Sequence, residues 1–244
     1  MSVNNFVILI DDPVVGHSFL ALVVALTVSV LLVLTQRWHG FFSLDKTEGL
    51  QKSHITPTPR IGGLAVVAAA VAPLCFMRDE PRVLLLNLML ASCPAFVFGF
   101  AEDVTERVGV LPRLLATMAS GVLAWWLTGY SLHRVDVWGV DMLMQITFIS
   151  VSFTAFAVGG VANAINIIDG FNGLASMSAL LAFIGYGLLA YSMGDHALAS
   201  LTLVLAACVL GFFWVNWPLG KIFLGDGGSY FIGFALAWVA VMLV

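Results

Sequence analysis

Long apolar segments alternate with short polar connections along the whole sequence. A helix that crosses a membrane needs roughly 20 mainly apolar residues. Eight segments have this character, at about 18–37, 61–77, 83–101, 113–130, 144–163, 174–193, 196–216 and 228–244. Membrane β-strands would be about half as long and would alternate in polarity, which these segments do not. The pattern therefore predicts an all-α membrane fold, a polytopic bundle of about eight transmembrane helices in a single integral-membrane domain, residues 1–244.

The polar connections differ in character on the two sides of the predicted membrane. Four of them are rich in Asp, Asn, Gly and basic residues and follow every second span, at 36–60, 101–112, 163–173 and 217–229. Of the ten Lys and Arg residues, seven lie on this side, and Arg78, Arg82 and Arg134 lie on the other. Because cytoplasmic connections carry an excess of Lys and Arg, the four rich connections are predicted to be cytoplasmic.

The composition supports the membrane assignment and excludes one class of partner. The chain is 61% hydrophobic and 10% charged, with a mean hydropathy of +1.02. Soluble domains are about half apolar and about a quarter charged. Membrane lipids are therefore expected to surround the chain, and a nucleic-acid partner is not expected because no basic patch is present.

The first rich connection holds the sequence His-Ile-Thr-Pro-Thr-Pro-Arg-Ile-Gly-Gly over residues 54–63. Its two prolines keep the backbone extended, and Gly62 and Gly63 permit close approach of a neighbour or a ligand. A stiff linker with flanking cations explains the same residues equally well.

The second rich connection begins with two adjacent acids, Glu102 and Asp103, at the end of an apolar segment. Acids in this position are costly unless they are solvated, paired or bound to a metal. Taken alone, these residues favour a solvated helix end.

The third rich connection holds Asn163, Asn166 and Asp169 at intervals of three residues, followed by Asn172. Residues three apart share one face of a helix, and their oxygen atoms suit a hard cation or a polar ligand. Hydrogen bonding between membrane helices is the alternative. It is less favoured here because the amides cluster with an acid.

The fourth rich connection contains Gly-Asp-Gly-Gly-Ser at 225–229. Exposed backbone N–H groups at the start of a helix favour phosphate, and Asp226 is suited to hold Mg²⁺. The alternative is a flexible turn whose Asp caps the next helix. Together the four connections carry hard oxygen ligands, cations and glycine-rich backbone, which are the parts that Mg²⁺ and phosphate chemistry needs.

The four motifs, in this order and spacing, resemble the polyprenyl-phosphate N-acetylaminosugar-1-phosphate transferases. The superfamily includes the WecA-like branch and the phospho-N-acetylmuramoyl-pentapeptide transferases, and the motifs at 54–63 and 163–174 are more similar to the WecA-like branch. The resemblance implies transfer of an N-acetylaminosugar-1-phosphate from a UDP-N-acetylaminosugar to undecaprenyl phosphate, with release of UMP. It implies the first membrane step of O-antigen or other cell-envelope glycan assembly, in the bacterial cytoplasmic (inner) membrane, with Mg²⁺ or alternatively Mn²⁺ as cofactor. A homodimer is left open.

The resemblance also implies roles for individual residues. The residues matching metal ligands are Asp226 and Asn166. Those matching catalytic acids are Asp103, Glu102 and Asp169. Those matching substrate-binding positions are Asn172, which would contact uracil, and Asn163, His54, Arg60, Arg113 and Lys46.

Three departures from the family pattern qualify the resemblance. Glu102 stands where an Asp is usual, and Arg113 follows the acidic pair one residue later than usual. Family members also continue through further spans and a later connection rich in His and Arg, whereas this sequence ends at Val244 within an apolar segment. A C-terminally shortened chain that is inactive on its own is therefore expected.

Two other functions compete with the transferase. A transporter or channel would place polar groups within the spans, near the bilayer midplane. An inactive or fragmentary relative that acts as a scaffold would retain the motifs without turnover.

Overall fold

The protein is described here by a computed structural model that covers residues 13–43 and 58–244. Its helices are α1 (Pro13–Leu34), α2 (Gln36–Ser43), α3 (Gly63–Val71), α4 (Asp79–Thr105), α5 (Val110–Thr128), α6 (Val140–Met144), α7 (Thr147–Ile168), α8 (Leu174–Ser192), α9 (His196–Asn216) and α10 (Gly225–Met242). This confirms the predicted all-α, polytopic membrane architecture.

Within the described residues, six helices are long and apolar enough to cross a membrane: α1, α4, α5, α7, α8 and α9. The other two predicted spans are helical as well, but they differ in length and character. The segment predicted at 61–77 forms a shorter helical stretch, Gly63–Cys75, because Pro73 turns its end into a 3₁₀ helix. The segment predicted at 228–244 belongs to α10, an 18-residue helix that starts at the polar Gly225–Ser229 motif.

The helices α9 and α10 form the centre of the bundle. Helix α10 packs mainly against α4 and α7, and α9 packs mainly against α1 and α8. In the most apolar 18-residue stretch of α9, 78% of the residues are buried inside the bundle. In the corresponding stretch of α1 only 17% are buried. The outer helices therefore present their apolar side chains outwards, as expected for helices in lipid.

Small residues allow α10 to approach its neighbours closely. A Cβ atom added to Gly63 of α3 would lie 2.4 Å from the backbone nitrogen of Gly228, and one added to Gly99 of α4 would lie 2.7 Å from the first turn of α10. A Cβ atom on Gly233 would lie 2.5 Å from the Cα atom of Ala162 in α7. Such contacts are typical of membrane bundles, in which small residues let backbones pack directly.

We expect the substitution Gly233→Ala to lower the stability of the bundle by about 1–3 kcal/mol, because the added methyl group overpacks the α7–α10 contact. The matched control is Gly185→Ala in α8, where a Cβ atom meets nothing within 4 Å. That change should be neutral or slightly stabilising, since Ala favours helix over Gly. Thermal unfolding in detergent measures both variants, and equal melting temperatures would contradict the predicted close packing.

Candidate active site

The described parts of the four polar connections meet at one end of the bundle, around the first turn of α10. The ends of α4 and α7, the start of α5 and the segment 58–62 all contact this turn or the segment 217–224 that precedes it. These contacts place the described parts of the four connections at one end of the bundle, and the membrane side of that end stays a prediction.

A short run of backbone hydrogen bonds joins the first and fourth connections. The Phe223 N–H donates to the Pro59 carbonyl at 2.8 Å, and the Gly62 N–H donates to the Phe223 carbonyl at 2.9 Å. A Cβ atom on Gly62 would lie 2.6 Å from that Phe223 carbonyl oxygen. The predicted close approach at Gly62 and Gly63 is therefore confirmed, and the neighbour is the fourth connection.

Asp103, in the last turn of α4, caps the start of α10. Its Oδ1 accepts the Asp226 backbone N–H and its Oδ2 accepts the Gly227 backbone N–H, each at 2.8 Å. Arg60 Nε also donates to Oδ1 at 3.3 Å, and the side chain is only 1% exposed. The first N–H groups of a helix lack partners within the helix and favour a negative charge. We predicted that these N–H groups would be exposed to phosphate, which is wrong for Asp226 and Gly227, since Asp103 already binds both.

A second carboxylate reaches the same helix end from α7. Asp169 follows the last residue of α7 and faces the Gly225 backbone N–H at the start of α10. Withdrawal of this carboxyl group from water raises its pKa well above the ordinary value, and the nearby Asp103 carboxylate raises it further. The nearby Gly225 N–H group and the charge of Arg60 oppose this rise. Asp103 therefore binds the first turn of α10 directly, and Asp169 lies close to the same turn.

The Asp226 side chain is held by two donors. Its Oδ1 accepts a hydrogen bond from Asn166 Nδ2 at 2.7 Å, and its Oδ2 pairs with Arg113 Nη1. The Asn166 amide also donates to the Ser229 hydroxyl at 2.9 Å. Arg113 and Asp226 keep side-chain exposures of 11% and 17%, so a solute can reach the pair.

Asn163 and Asn166 face α10 together, as their three-residue spacing predicted. Tyr230 of α10 donates its hydroxyl hydrogen to Asn163 Oδ1 at 3.2 Å. The Arg113 guanidinium carbon lies 5.7 Å from the centroid of the Tyr230 ring. Tyr230 therefore links the second and third connections at the edge of the site.

Asn216, at the end of α9, joins the third and fourth connections. This buried side chain accepts the Gly173 N–H at 2.6 Å and donates to the Ile222 carbonyl at 2.7 Å. The neighbouring Asn172 lies against Gly220, where a Cβ atom would come within 2.5 Å of Asn172 Nδ2. Among the described residues, the buried Oδ1 of Asn172 has no hydrogen-bond partner.

Glu102 points away from the other acids. Its Oε2 accepts the Val108 backbone N–H at 2.6 Å, within the connection between α4 and α5. Successive helix residues are about 100° apart around the axis, so Glu102 and Asp103 face different surroundings. The two acids therefore do not form a joint carboxylate pair against α10.

The structure brings together most of the residues singled out from the sequence. Those that meet at the first two turns of α10 are Arg60, Asp103, Arg113, Asn163, Asn166, Asp169 and Asp226. Lys46 and His54 lie outside the described residues. Three residues of the site were not predicted from the sequence: Ser229, Tyr230 and Asn216. For Asn216 a signal existed, because an amide directly after a long apolar segment needs partners at the membrane boundary.

The oxygen atoms around Asp226 fit a divalent cation of the Mg²⁺ type. The described residues contain no group of three or more His, Cys, Asp or Glu that could hold a metal. Mg²⁺, however, is commonly held by one or two carboxylates together with water and substrate phosphates. Asp226 supplies a carboxylate, Ser229 a hydroxyl, and rotation of the Asn166 amide by 180° would turn its oxygen to the same side.

Two of the cavities formed by the described residues lie away from this cluster. One, of about 410 Å³, lies at the opposite end of the bundle and includes His17, Arg78 and Ser200 in its lining. The other, of about 320 Å³, is an apolar groove between α1 and the end of α9. Neither contains Asp226 or its partners, so the candidate active site is the open cluster at the start of α10.

Comparison with known proteins connects this geometry to one family. The family described as Glycosyl transferase family 4 matches residues 85–244. A phospho-N-acetylmuramoyl-pentapeptide-transferase of Streptococcus pyogenes serotype M4 is 28% identical over 248 residues, which cover 92% of this chain and 73% of that protein. A protein of the same name from Clostridium perfringens (strain 13) is 26% identical, over 96% of this chain and 77% of that protein. The matched region includes every residue of the cluster except Arg60.

Proposed function

Since the chain belongs to glycosyl transferase family 4, we propose that it transfers an N-acetylaminosugar-1-phosphate from a UDP-linked donor to undecaprenyl phosphate and releases UMP. The observation that carries the proposal is the Asp226 carboxylate, which lies between Arg113 and Asn166 at one end of a membrane bundle. At this end of the bundle the site would be reachable both from water and from the lipid that would hold a polyprenyl acceptor. A transporter would need such groups near the midplane of its spans.

Asp226 and Asn166 would hold the divalent cation, Mg²⁺ or Mn²⁺. When bound there, the cation supplies charge neutralisation for the diphosphate and for the leaving UMP. Arg113 adds a planar guanidinium whose N–H groups match phosphate oxygens. Asn172, next to the segment 217–224, is assigned to the uracil base.

The chemistry that we propose is in-line displacement at the β-phosphorus of the donor. The acceptor is a phosphate monoester, whose second pKa is near 6, so it is largely dianionic at neutral pH and needs no general base. The role of Asp103 is then to position α10, because both its oxygens bind N–H groups of that helix. Catalysis comes from positioning and charge neutralisation by the cluster.

Two donors are candidates within this reaction. The motifs at 54–63 and 163–174 favour a UDP-N-acetylhexosamine for O-antigen or other envelope glycans. The names of the relatives favour UDP-N-acetylmuramoyl-pentapeptide. Either donor would reach the cluster from the cytoplasm, the side to which we assign the four connections because seven of the ten Lys and Arg residues lie there.

The proposal is tested with membranes that contain this chain or a form extended by the C-terminal spans of a relative. They receive undecaprenyl phosphate and radiolabelled UDP-N-acetylglucosamine, UDP-N-acetylgalactosamine or UDP-N-acetylmuramoyl-pentapeptide, with Mg²⁺ or with EDTA. We expect one donor to yield a lipid-soluble labelled product and UMP in equal amounts, and we expect EDTA to abolish both. If neither form makes a lipid-linked sugar from any of the three donors, the proposed function is wrong.

A further inference from the structure

The ion pair between Arg113 and Asp226 places a side-chain cation on the carboxylate to which we assign the divalent cation. Each Asp226 oxygen has one protein donor, Asn166 on Oδ1 and Arg113 on Oδ2. Mg²⁺ binds oxygen at about 2.0–2.1 Å with near-octahedral geometry. The guanidinium and a divalent cation on one carboxylate would repel each other strongly at this partly buried position.

We propose that Arg113 is a latch, a side chain that occupies the cation position beside Asp226 until a divalent cation displaces it. The proposal rests on the proposed function, specifically on Asp226 as a ligand of the cation. It assigns to Arg113 a role in the metal-free state in addition to its contact with donor phosphate.

The charges around α10 explain why the metal-free site needs this cation. Two carboxylates that have basic partners, Asp103 and Asp226, lie at the start of the helix. A buried or partly buried charge that loses its partner is strongly unfavourable. Arg60 pairs with Asp103, and Arg113 pairs with Asp226. Removal of Arg113 would leave Asp226 without its cation and would increase the attraction of the site for a divalent ion.

The surroundings of Arg113 allow the guanidinium to leave Asp226 without leaving the site. Arg113 Nε donates to the Gly109 carbonyl at 3.3 Å, which anchors the side chain within α5. The Tyr230 ring lies beside the guanidinium carbon at 5.7 Å and attracts a cation whether or not Asp226 is available. Rotation of the outer part of the side chain is then sufficient, and the freed N–H groups can bind a phosphate of the donor.

Direct metal binding tests the latch without turnover. The purified chain in detergent is titrated with Mn²⁺ alone, and free Mn²⁺ is measured by electron paramagnetic resonance. We expect Arg113→Gln to bind Mn²⁺ about tenfold more tightly than the parent, which corresponds to about 1.4 kcal/mol. Arg113→Lys should also bind Mn²⁺ more tightly than the parent, but by a smaller factor than Arg113→Gln. Lys keeps the positive charge of Arg but lacks its planar guanidinium. The matched control Arg107→Gln removes an exposed cation from the same face and should change the affinity less than twofold.

A second measurement separates displacement of Arg113 from simple charge repulsion. The chain has four tyrosines, so 3-fluorotyrosine labelling gives four ¹⁹F signals, and Tyr230→Phe identifies that of Tyr230. Mg²⁺ should shift the Tyr230 signal in the parent, because the guanidinium moves relative to the ring. In Arg113→Gln the signal should shift much less when Mg²⁺ is added.

The outcomes distinguish the latch from the proposed function. Mn²⁺ affinity that is equal in the parent, Arg113→Gln and Arg113→Lys overturns the latch. A Tyr230 signal that shifts equally with Mg²⁺ in the parent and in Arg113→Gln also overturns it. If Asp226→Asn binds Mn²⁺ as tightly as the parent, the metal site itself is misassigned and the proposed function loses its cation.

Discussion

Replacing Asp103 by Asn, in the form of the chain that is active in the membrane assay, is expected to lower the rate of sugar-phosphate transfer by at least about 100-fold, although the side chain is only 1% exposed. Asn keeps one oxygen for the start of α10 but turns an NH₂ group towards either the Asp226 or the Gly227 N–H. Two facing donors leave a buried N–H unsatisfied, which costs about 1–3 kcal/mol. The change also removes the negative charge that favours this helix end and pairs with Arg60.

Asp103→Asn should lower the turnover number and should also lower the melting temperature. A displacement of about 1 Å at catalytic groups is enough to cost about 100-fold in rate. The matched control is Glu102→Gln, which preserves an oxygen for the Val108 N–H and leaves α10 untouched. We expect that control to retain most of the parent rate in the membrane assay. A parental turnover number in Asp103→Asn, or a larger loss in Glu102→Gln, would contradict the assignment of Asp103 as the residue that positions α10.

The Asp103 contact illustrates what the sequence could not predict. The hydrogen bond from the Asp226 N–H to Asp103 joins residues 123 positions apart. Local patterns describe the partners of a helix end within its own turn, and for α10 they offered Asp226 as the cap of its own helix. The structure shows no side-chain cap from within that turn. Which distant acid reaches them depends on how α4 packs against α10, and that packing is not encoded in any single segment.

The spacing of polar residues correctly predicted those contacts that depend only on which face of a helix a side chain occupies. The spacing of Asn163 and Asn166 placed both amides on one face, and both contact α10. The end of that helix was less well predicted. The span predicted at 144–163 stops at the first amide, whereas α7 continues to Ile168. Polar residues do not end a membrane helix when a neighbouring helix satisfies their hydrogen bonds. For this reason α7 extends beyond its apolar segment.

The four connections were predicted to share one side from the alternation of spans, and they meet around α10. The alternation of spans and connections did not predict which side chains form pairs around the start of α10. Arg113 illustrates this, since its late position after the acidic pair placed its role in doubt. The structure pairs it with Asp226, because the first turn of α5 lies beside the first turn of α10.

Replacing Asp226 by Asn is expected to reduce transfer by about 1000-fold or more and to remove the tight Mn²⁺ site. Asn is neutral and nearly the same size, so the change removes the charge and leaves the packing of α10 in place. Lewis-acid stabilisation by a metal is worth several kcal/mol, and each 1.36 kcal/mol is tenfold in rate. An amide at position 226 would also turn an NH₂ group towards Asn166 or Arg113, both of which donate to the present carboxylate.

The matched control for Asp226→Asn is Asp136→Asn, which makes the same chemical change at the other end of the bundle. Asp136 pairs with Arg134 there, and both side chains are more than 70% exposed, at 73% and 74%. Exposed ion pairs are worth about 0–1 kcal/mol, so Asp136→Asn should retain parental transfer and Mn²⁺ affinity. Both variants are compared in the membrane assay and by Mn²⁺ titration. Transfer by Asp226→Asn that remains Mg²⁺-dependent and close to the parent rate would show that another group holds the cation, and Asp226 would then serve only as the partner of Arg113.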